Sequence, residues 1–325
     1  MYVLGIETSC DETAASVVGN GKAIRSNIIA SSLKFHKKYG GVIPEIASRM
    51  HLDTINYVVD NALRESGKKL KDIGLISVTE GPGFPGSLLI GLCFAKSLSL
   101  GCGIPLIGIN HLHAHIYSVL LNHSSIAFPF VGLVVSGGHT SLFYVRDFDK
   151  MELLGSTLDD ACGEAFDKVA KILGLGYPGG PIVERLAQRG ALKIKFNCSN
   201  TQRPLDFSFS GIKTAVLYYV QRHACAQAAD IATSFQEAVI EALIKKSFLA
   251  CKMKRVKRLV MGGGVVINER LRERFLDASG HSGIKVYFPD KSLCMDNAAM
   301  VAGLGYHLFR KGYVSDWDVT PRLAS

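Results

Sequence analysis

The sequence lacks any Cys-x-x-Cys pair. Its eight cysteines (Cys10, Cys93, Cys102, Cys162, Cys198, Cys225, Cys251 and Cys294) are scattered along the chain, which excludes a dense disulfide framework and a cysteine-built zinc module. They read as reduced thiols. An uninterrupted apolar run of membrane-spanning length is also missing. The most hydrophobic window, Ser87 to Ile109, is broken by Lys96, by glycines and by Pro105, so no membrane association is expected. The opening Met1-Tyr2-Val3-Leu4-Gly5-Ile6-Glu7 has no basic leader or cleavage signal and already reads as a strand, so the expected location is cytoplasmic. Charge is sparse at 20% against 48% hydrophobic residues, which excludes a disordered chain; the 33 glycines fit the turns and ligand loops of a compact α/β enzyme.

What charge there is leans one way. The formal net charge is +9, with concentrations at Lys34/His36/Lys37/Lys38, Lys68/Lys69/Lys71, Lys252/Lys254/Arg255/Lys257/Arg258 and Arg270/Arg272/Arg274. Such an excess suits a polyanionic partner, and equally a merely solvated basic surface. At 325 residues the chain is long enough for two packed domains.

A strand–polar turn–strand pattern occurs twice. Tyr2 to Ile6 runs into Glu7-Thr8-Ser9-Cys10-Asp11-Glu12-Thr13 and resumes as Ala14 to Val18; Phe130 to Val135 runs into Ser136-Gly137-Gly138-His139-Thr140 and resumes as Ser141 to Val145. The two halves therefore read as a diverged duplication. Apolar spacing predicts helices over Leu52–Ser66, Leu88–Leu100 and a segment carrying Ile231, Phe235, Val239 and Leu243. Strands are expected at Ile73–Val78, Pro105–Ile109 and Arg258–Met261, with a helix after Asn268. Thr157 and Asp160 have the spacing of a capping box for a helix running to about Leu173 and ended by Gly174. Gln188 to Ser208 lacks periodicity and reads as a loop. Alternating strands and helices predict α/β layers.

His111 and His115 stand four apart, so on a helix their imidazoles project from one face and can share a metal, or simply pack. A His-Glu-x-x-His peptidase needs a glutamate at position 112, where this chain has Leu112. Asp296, at the expected start of a late helix, can serve as a carboxylate ligand or as an ordinary N-cap. Two imidazoles and one carboxylate leave coordination positions open, as iron(II) or zinc requires. Ser136-Gly137-Gly138, Gly262-Gly263-Gly264 and Gly176-Tyr177-Pro178-Gly179-Gly180-Pro181 are turns whose backbone can approach phosphate, or can serve tight packing. Asp160, Glu164 and Asp167 fall near one helix face, open to a ligand or paired with Lys168 and Lys171.

Taken together, Gly5 to Thr13, Gly40-Gly41-Val42-Ile43-Pro44-Glu45, Gly81-Pro82-Gly83, His111 to His115, Val135 to Thr140, Gly163 to Lys168, Tyr177 to Pro181, Phe207 to Thr214 and Asp296-Asn297-Ala298 closely resemble the TsaD-type tRNA N6-adenosine threonylcarbamoyltransferases, once described as O-sialoglycoprotein endopeptidases. The resemblance covers nearly the whole chain and has a bacterial cast. It implies an actin-like ATPase fold of the sugar-kinase/Hsp70 type, with two duplicated α/β domains around a nucleotide cleft. The expected lobes are 1–125 plus roughly 300–325, and 126–299. It further implies transfer of a threonylcarbamoyl group from L-threonylcarbamoyl-adenylate to N6 of adenosine 37, in tRNAs reading codons that begin with A, with release of AMP.

By resemblance, His111, His115 and Asp296 hold a divalent metal, iron(II) ahead of zinc. Val134, Val135, Ser136, Gly137, Gly138, Asp167, Gly180, Glu184 and Asn268 contact the adenylate or ATP/AMP, and Asp11 and Glu12 lie near the reacting centre. The expected partners are tRNA, a paralogous TsaB-like subunit and a TsaE-like ATPase. Two departures stand out: Val265-Val266-Ile267 replaces the family's small alanines before Asn268, and the Gln188–Ser208 region is short. The rival readings are a metallopeptidase and a non-catalytic subunit of the modification complex.

Overall fold

The computed structural model describes residues 1–123, 125–223 and 225–322; the end of the expected first lobe, 323–325, lies outside them. Two compact units are present, one formed by Met1–Ile126 and the chain from Pro289 onward, the other by Ala127–Phe288.

The first unit opens with β1 (Tyr2–Glu7), β2 (Glu12–Gly19) and β3 (Ala23–Ser31), followed by the short α1 (Leu33–His36), α2 (Pro44–Ser66), β4 (Ile73–Gly81), α3 (Pro85–Cys102), β5 (Leu106–Asn110) and α4 (His111–Asn122). Its sheet has the order β3-β2-β1-β4-β5: β1 pairs antiparallel with β2 and parallel with β4, and β4 pairs parallel with β5. Every residue of β2 is buried, as expected of a strand covered on both faces. Helix α2 begins at Pro44, well before the Leu52 start expected from apolar spacing. Its first turns carry few apolar residues, and Pro44 at the N-terminal position supplies the start instead.

Helix α3 is long and apolar enough to cross a membrane by length and composition. In the fold it packs against α2 and β4, with Leu88, Leu92 and Ala95 buried.

The second unit repeats the plan. β6 (Phe130–Val135), β7 (Thr140–Asp147) and β8 (Lys150–Ser156) lead through α5 (Cys162–Ile172), α6 (Gly179–Ala187), α7 (Ser210–Arg222) and α8 (Ala228–Met253) to β9 (Arg258–Gly262), α9 (Glu269–Ser282) and β10 (Lys285–Tyr287). The sheet order β10-β9-β6-β7-β8 matches the first sheet strand for strand: two antiparallel hairpins on one side of the founding strand, two parallel strands on the other. Ile231, Phe235, Val239 and Leu243 are all buried along α8. The 188–209 stretch holds neither helix nor strand.

One boundary moves. Helix α5 starts at Cys162, not at Thr157. The Thr157 hydroxyl donates to Asp160 O (2.7 Å) in a turn before the helix, and Glu164 accepts from Ala161 N (3.3 Å). Asp160 therefore leaves the helix face. It takes Lys168 (2.6 Å) and Lys213 (2.8 Å) instead.

The chain returns to the first unit at Pro289 and ends that unit with α10 (Ala298–Arg310), which packs against β1 and α4. The return comes before residue 300 because Asn122 and Asp290 exchange hydrogen bonds (2.7 and 3.2 Å) and Cys294 and Asn297 are fully buried.

Candidate functional site

In the first unit, β5 ends at Asn110, whose side chain caps α4 by accepting from Leu112 N (2.9 Å) and His113 N (3.1 Å). The cap places His111 at the first helical position and His115 one turn on, with ring centroids 4.6 Å apart. Asp296 arrives from the far end of the chain. It is not the N-cap of α10; Asn297 is, accepting from Met300 N (3.1 Å). The Asp296 carboxylate is thereby released toward the histidines, 3.0 Å from His115 Nε2 and 3.6 Å from His111 Nε2. One ligand atom from each of the three residues lies within 4.8 Å of the others.

Gly5 is what lets Asp296 come this close. A Cβ on this β1 residue would stand 2.2 Å from Ala298 O, so only glycine admits the start of α10 against the strand.

Behind His111 stands Glu7, wholly buried at the end of β1. Glu7 Oε2 lies 3.0 Å from His111 Nδ1 and accepts from Thr79 Oγ1 (2.7 Å), while Oε1 accepts from Ser9 N (2.6 Å). This carboxylate–imidazole pair fixes the ring and turns Nε2 toward Asp296. Burial would raise the Glu7 carboxyl, but the charge and hydrogen bond of His111 outweigh it and hold it below its ordinary value. Burial would lower His111, and Glu7 followed by Asp296 reverses this, lifting it to about 9. His113 points elsewhere, and burial pushes it down to about 4. Two imidazoles, a carboxylate and an imidazole-orienting acid fit a divalent transition metal in chemistry and in spacing. Among the described residues, His115 Nδ1 is a buried nitrogen without a hydrogen-bond partner. Leu112 is buried at 1% exposure, and no peptidase base stands at that position.

Asp11 and Glu12 sit where the turn after β1 enters β2. Glu12 is buried and accepts from Ser31 Oγ (3.1 Å). Burial, then the charges of Asp11 and Asp296, push it up to about 10, so it keeps its proton at neutral pH. Asp11 is half-buried, and its backbone carbonyl accepts from Ser32 N (3.0 Å) and Ser32 Oγ (2.8 Å).

The second unit gathers the remaining expected residues around the ends of the parallel strands β6 and β9. The Val134 and Val135 side chains are buried, leaving them only backbone for a ligand. Ser136 N is already committed to His139 O (2.8 Å), and Ser136 Oγ accepts from His139 N (3.1 Å). Gly137 and Gly138 face open space. Ser136 O accepts from Gly163 N (3.1 Å) at the start of α5, the helix that carries Asp167. Asp167 accepts from Gly179 N (2.7 Å), which ties α5 to the start of α6; burial raises its carboxyl, and the Gly179 and Gly180 amides oppose the rise.

From α6, Glu184 accepts from Glu269 N (2.7 Å), sharing the N-terminus of α9 with Asn268, which accepts from Leu271 N (2.8 Å) and donates to Gln236 (2.9 Å). The circuit closes at Gly263, whose φ of +99° and position over Val135 O (2.4 Å from a Cβ) exclude a side chain. In the altered 265–267 segment Val266 enters the core, while Val265 and Ile267 stay half-buried. A depression of about 360 Å³ beside this circuit is lined by Glu184, Thr233, Gln236, Glu237, Arg270 and Arg274. Glu237 is bridged there to Arg270 (2.5 Å) and to Arg274.

Glu7, Gln236 and Glu237 have no role that the sequence alone assigns. Glu7 alone left a signal, an acid closing an apolar strand, which once buried must find a partner.

Comparison with known proteins gives a consistent result. The family model described as TsaD: tRNA N6-adenosine threonylcarbamoyltransferase matches residues 23–303. The curated protein of that description from Dictyoglomus turgidum is 49% identical over 320 residues, covering 97% of this chain and 96% of its own; that from Symbiobacterium thermophilum is 51% identical over 321 residues, covering 98% and 94%. Among solved structures, full-length HypF in its phosphate- and nucleotide-bound form aligns with a TM-score of 0.65 at 14% identity over 95% of this chain, which spans 46% of that protein. The Acidaminococcus fermentans (R)-2-hydroxyglutaryl-CoA dehydratase component A aligns with a TM-score of 0.58 at 16% identity, over 94% of this chain and 98% of its own. These neighbours share the actin-like ATPase fold.

Proposed function

Since the chain belongs to the tRNA N6-adenosine threonylcarbamoyltransferase family, we propose that it carries threonylcarbamoyl from L-threonylcarbamoyl-adenylate to N6 of adenosine 37 in tRNA, with AMP as the second product. The N6 amine forms a C–N bond to the carbamoyl carbon, the C–O bond to the adenylate phosphate breaks, and N6 loses a proton.

An exocyclic amine is a poor nucleophile, so its proton must be accepted and its lone pair aimed. Asp11 is the acceptor in this reading, because Glu12 already holds a proton at neutral pH and acts as a hydrogen-bonding prop beneath it. His111, His115 and Asp296 would hold the divalent metal, with Glu7 keeping the His111 ring turned. When bound, such an ion supplies Lewis acidity to an oxygen of the donor. In the second unit, the open Gly137-Gly138 turn offers backbone to phosphate, and Asp167 and Gly180 flank the nucleotide. Glu184 and Asn268 support it by holding α9 against α6.

The observation that carries this reading is the meeting of Asp296 with His111 and His115, backed by a buried glutamate, in a chain of this family. A tRNA substrate supports a cytoplasmic enzyme, working with a TsaB-like subunit and a TsaE-like ATPase. The test is mass spectrometry of tRNA nucleosides after incubation of the metal-loaded chain, its companions, the adenylate and unmodified tRNA. Wild type yields threonylcarbamoyladenosine, and His111→Ala lowers the yield by roughly a hundredfold or more. Unmodified adenosine in the wild-type reaction overturns the reading.

A further inference from the structure

A short exposed segment of the first unit gathers lysines and aromatic rings within six residues. Between β3 and α2 the chain runs Lys34-Phe35-His36-Lys37-Lys38-Tyr39-Gly40-Gly41, with Lys34, Lys37 and Lys38 exposed and the Phe35 and Tyr39 rings 38% and 51% exposed. Neither ring belongs to the core cluster of the first unit, and both stand beside exposed lysines.

The rings and charges come as pairs. Lys34 Nζ lies 5.0 Å from the Phe35 ring centroid, and Lys38 Nζ lies 4.9 Å from that of Tyr39. The segment is also held in shape. His36, fully buried, bonds Ser32 Oγ through Nε2 (2.9 Å) and accepts from Ile43 N through Nδ1 (3.2 Å). Gly40, at φ +70°, closes the turn with a bond to Lys37 O (3.2 Å). A pinned turn presents its rings with less ordering cost on binding than a loose loop does.

Its root connects it to the chemistry. Ser32 bonds Asp11 O through both its amide and its hydroxyl, and Ser31, the residue paired with Glu12 across β2 and β3, donates to the Glu12 carboxyl.

We propose that Lys34–Tyr39 is the single-stranded RNA contact of this enzyme, stacking unpaired bases of the tRNA loop on Phe35 and Tyr39 and neutralising the adjoining phosphates with Lys34, Lys37 and Lys38. The proposal rests on the tRNA-modifying reading above. The chemistry is that of non-specific single-strand binding, in which flat π surfaces take the bases and interleaved cations take the backbone. Through Ser32, which bonds both His36 and the Asp11 carbonyl, the contact is tied to the residue assigned to the acceptor amine.

The test uses the full chain with its companions, metal, adenylate and an unmodified tRNA transcript. Phe35→Ala and Tyr39→Ala each raise KM for tRNA by roughly tenfold with kcat unchanged, and Tyr39→Trp restores it. Alanine at Lys34, Lys37 or Lys38 lowers the slope of log Kd for tRNA against log salt, by fluorescence anisotropy, by about 0.7 per lysine. Circular dichroism and bound-metal content match wild type in every variant. Unaltered KM and salt slope in variants of an enzyme that makes threonylcarbamoyladenosine overturn the proposal while leaving the function standing. A loss of binding to anionic phospholipid vesicles with unchanged tRNA affinity overturns it in favour of a membrane contact. Should wild type make no product, the functional reading fails, and the anisotropy series alone still decides whether the segment binds RNA.

Discussion

Asp11 and Glu12 are adjacent carboxyl groups with different surroundings. Glu12 enters β2 and is buried among like charges, which forces a proton onto it; Asp11 remains half-exposed at the turn. Charge state therefore separates their duties. Glu12→Gln, an isostere of the protonated acid, should keep most of the activity, whereas Asp11→Asn should cost roughly a hundredfold or more in kcat. Steady-state kinetics on the two variants decide the assignment, and equal losses would count against it. Neither role can be read from sequence, where the two acids look interchangeable. Glu7 is similar: its meaning depends on His111, more than a hundred positions away, and no local pattern announces that pairing.

At the scale of elements, local signals were legible wherever the controlling contacts are local. Asn268 caps α9 and the apolar face of α8 is buried, both as spacing predicts. The expected Thr157–Asp160 capping box failed because Asp160 has better partners in Lys168 and Lys213, the second of them 53 residues away. That ion pair gives a pH signature. Burial would raise Asp160, but the two lysines hold it below its ordinary value of 3.8. A depressed folded-state value contributes stability above the unfolded value and loses it as pH falls through the folded one. The unfolding midpoint of wild type should therefore drop as the pH is taken below 3.8, and Asp160→Asn should flatten that part of the profile.

Close approach between elements has its own test. Gly5→Ala drives a methyl into Ala298 O, so α10 must retreat from β1. Overpacking of this kind costs about 1–3 kcal/mol in denaturant unfolding. Weaker metal binding by calorimetry should accompany it, as Asp296 moves with the helix.

For the molecule as a whole, the repeated strand–turn–strand grammar was the most informative feature of the sequence, and the two sheets match in order and direction. Less visible was the return of the chain to the first unit at Pro289, because the Asn122–Asp290 exchange that marks it joins residues with no shared pattern. The return matters thermodynamically, since it gives the first unit its third candidate ligand. A metal that binds only the folded unit should add about 2.7 kcal/mol of stability at a hundredfold excess over Kd. Thermal unfolding with and without chelator measures this increment, and His115→Ala should abolish it.

The late arrival of Asp296 has a consequence for biosynthesis. A ribosome that has released residues 1–126 has made both imidazoles but not the acid, and the whole second unit must emerge before residue 296 does. A nascent or prematurely terminated chain without residue 296 would offer only two of the three candidate ligands and compete poorly for an ion, so a metal held by this trio could load only after the second unit has been made.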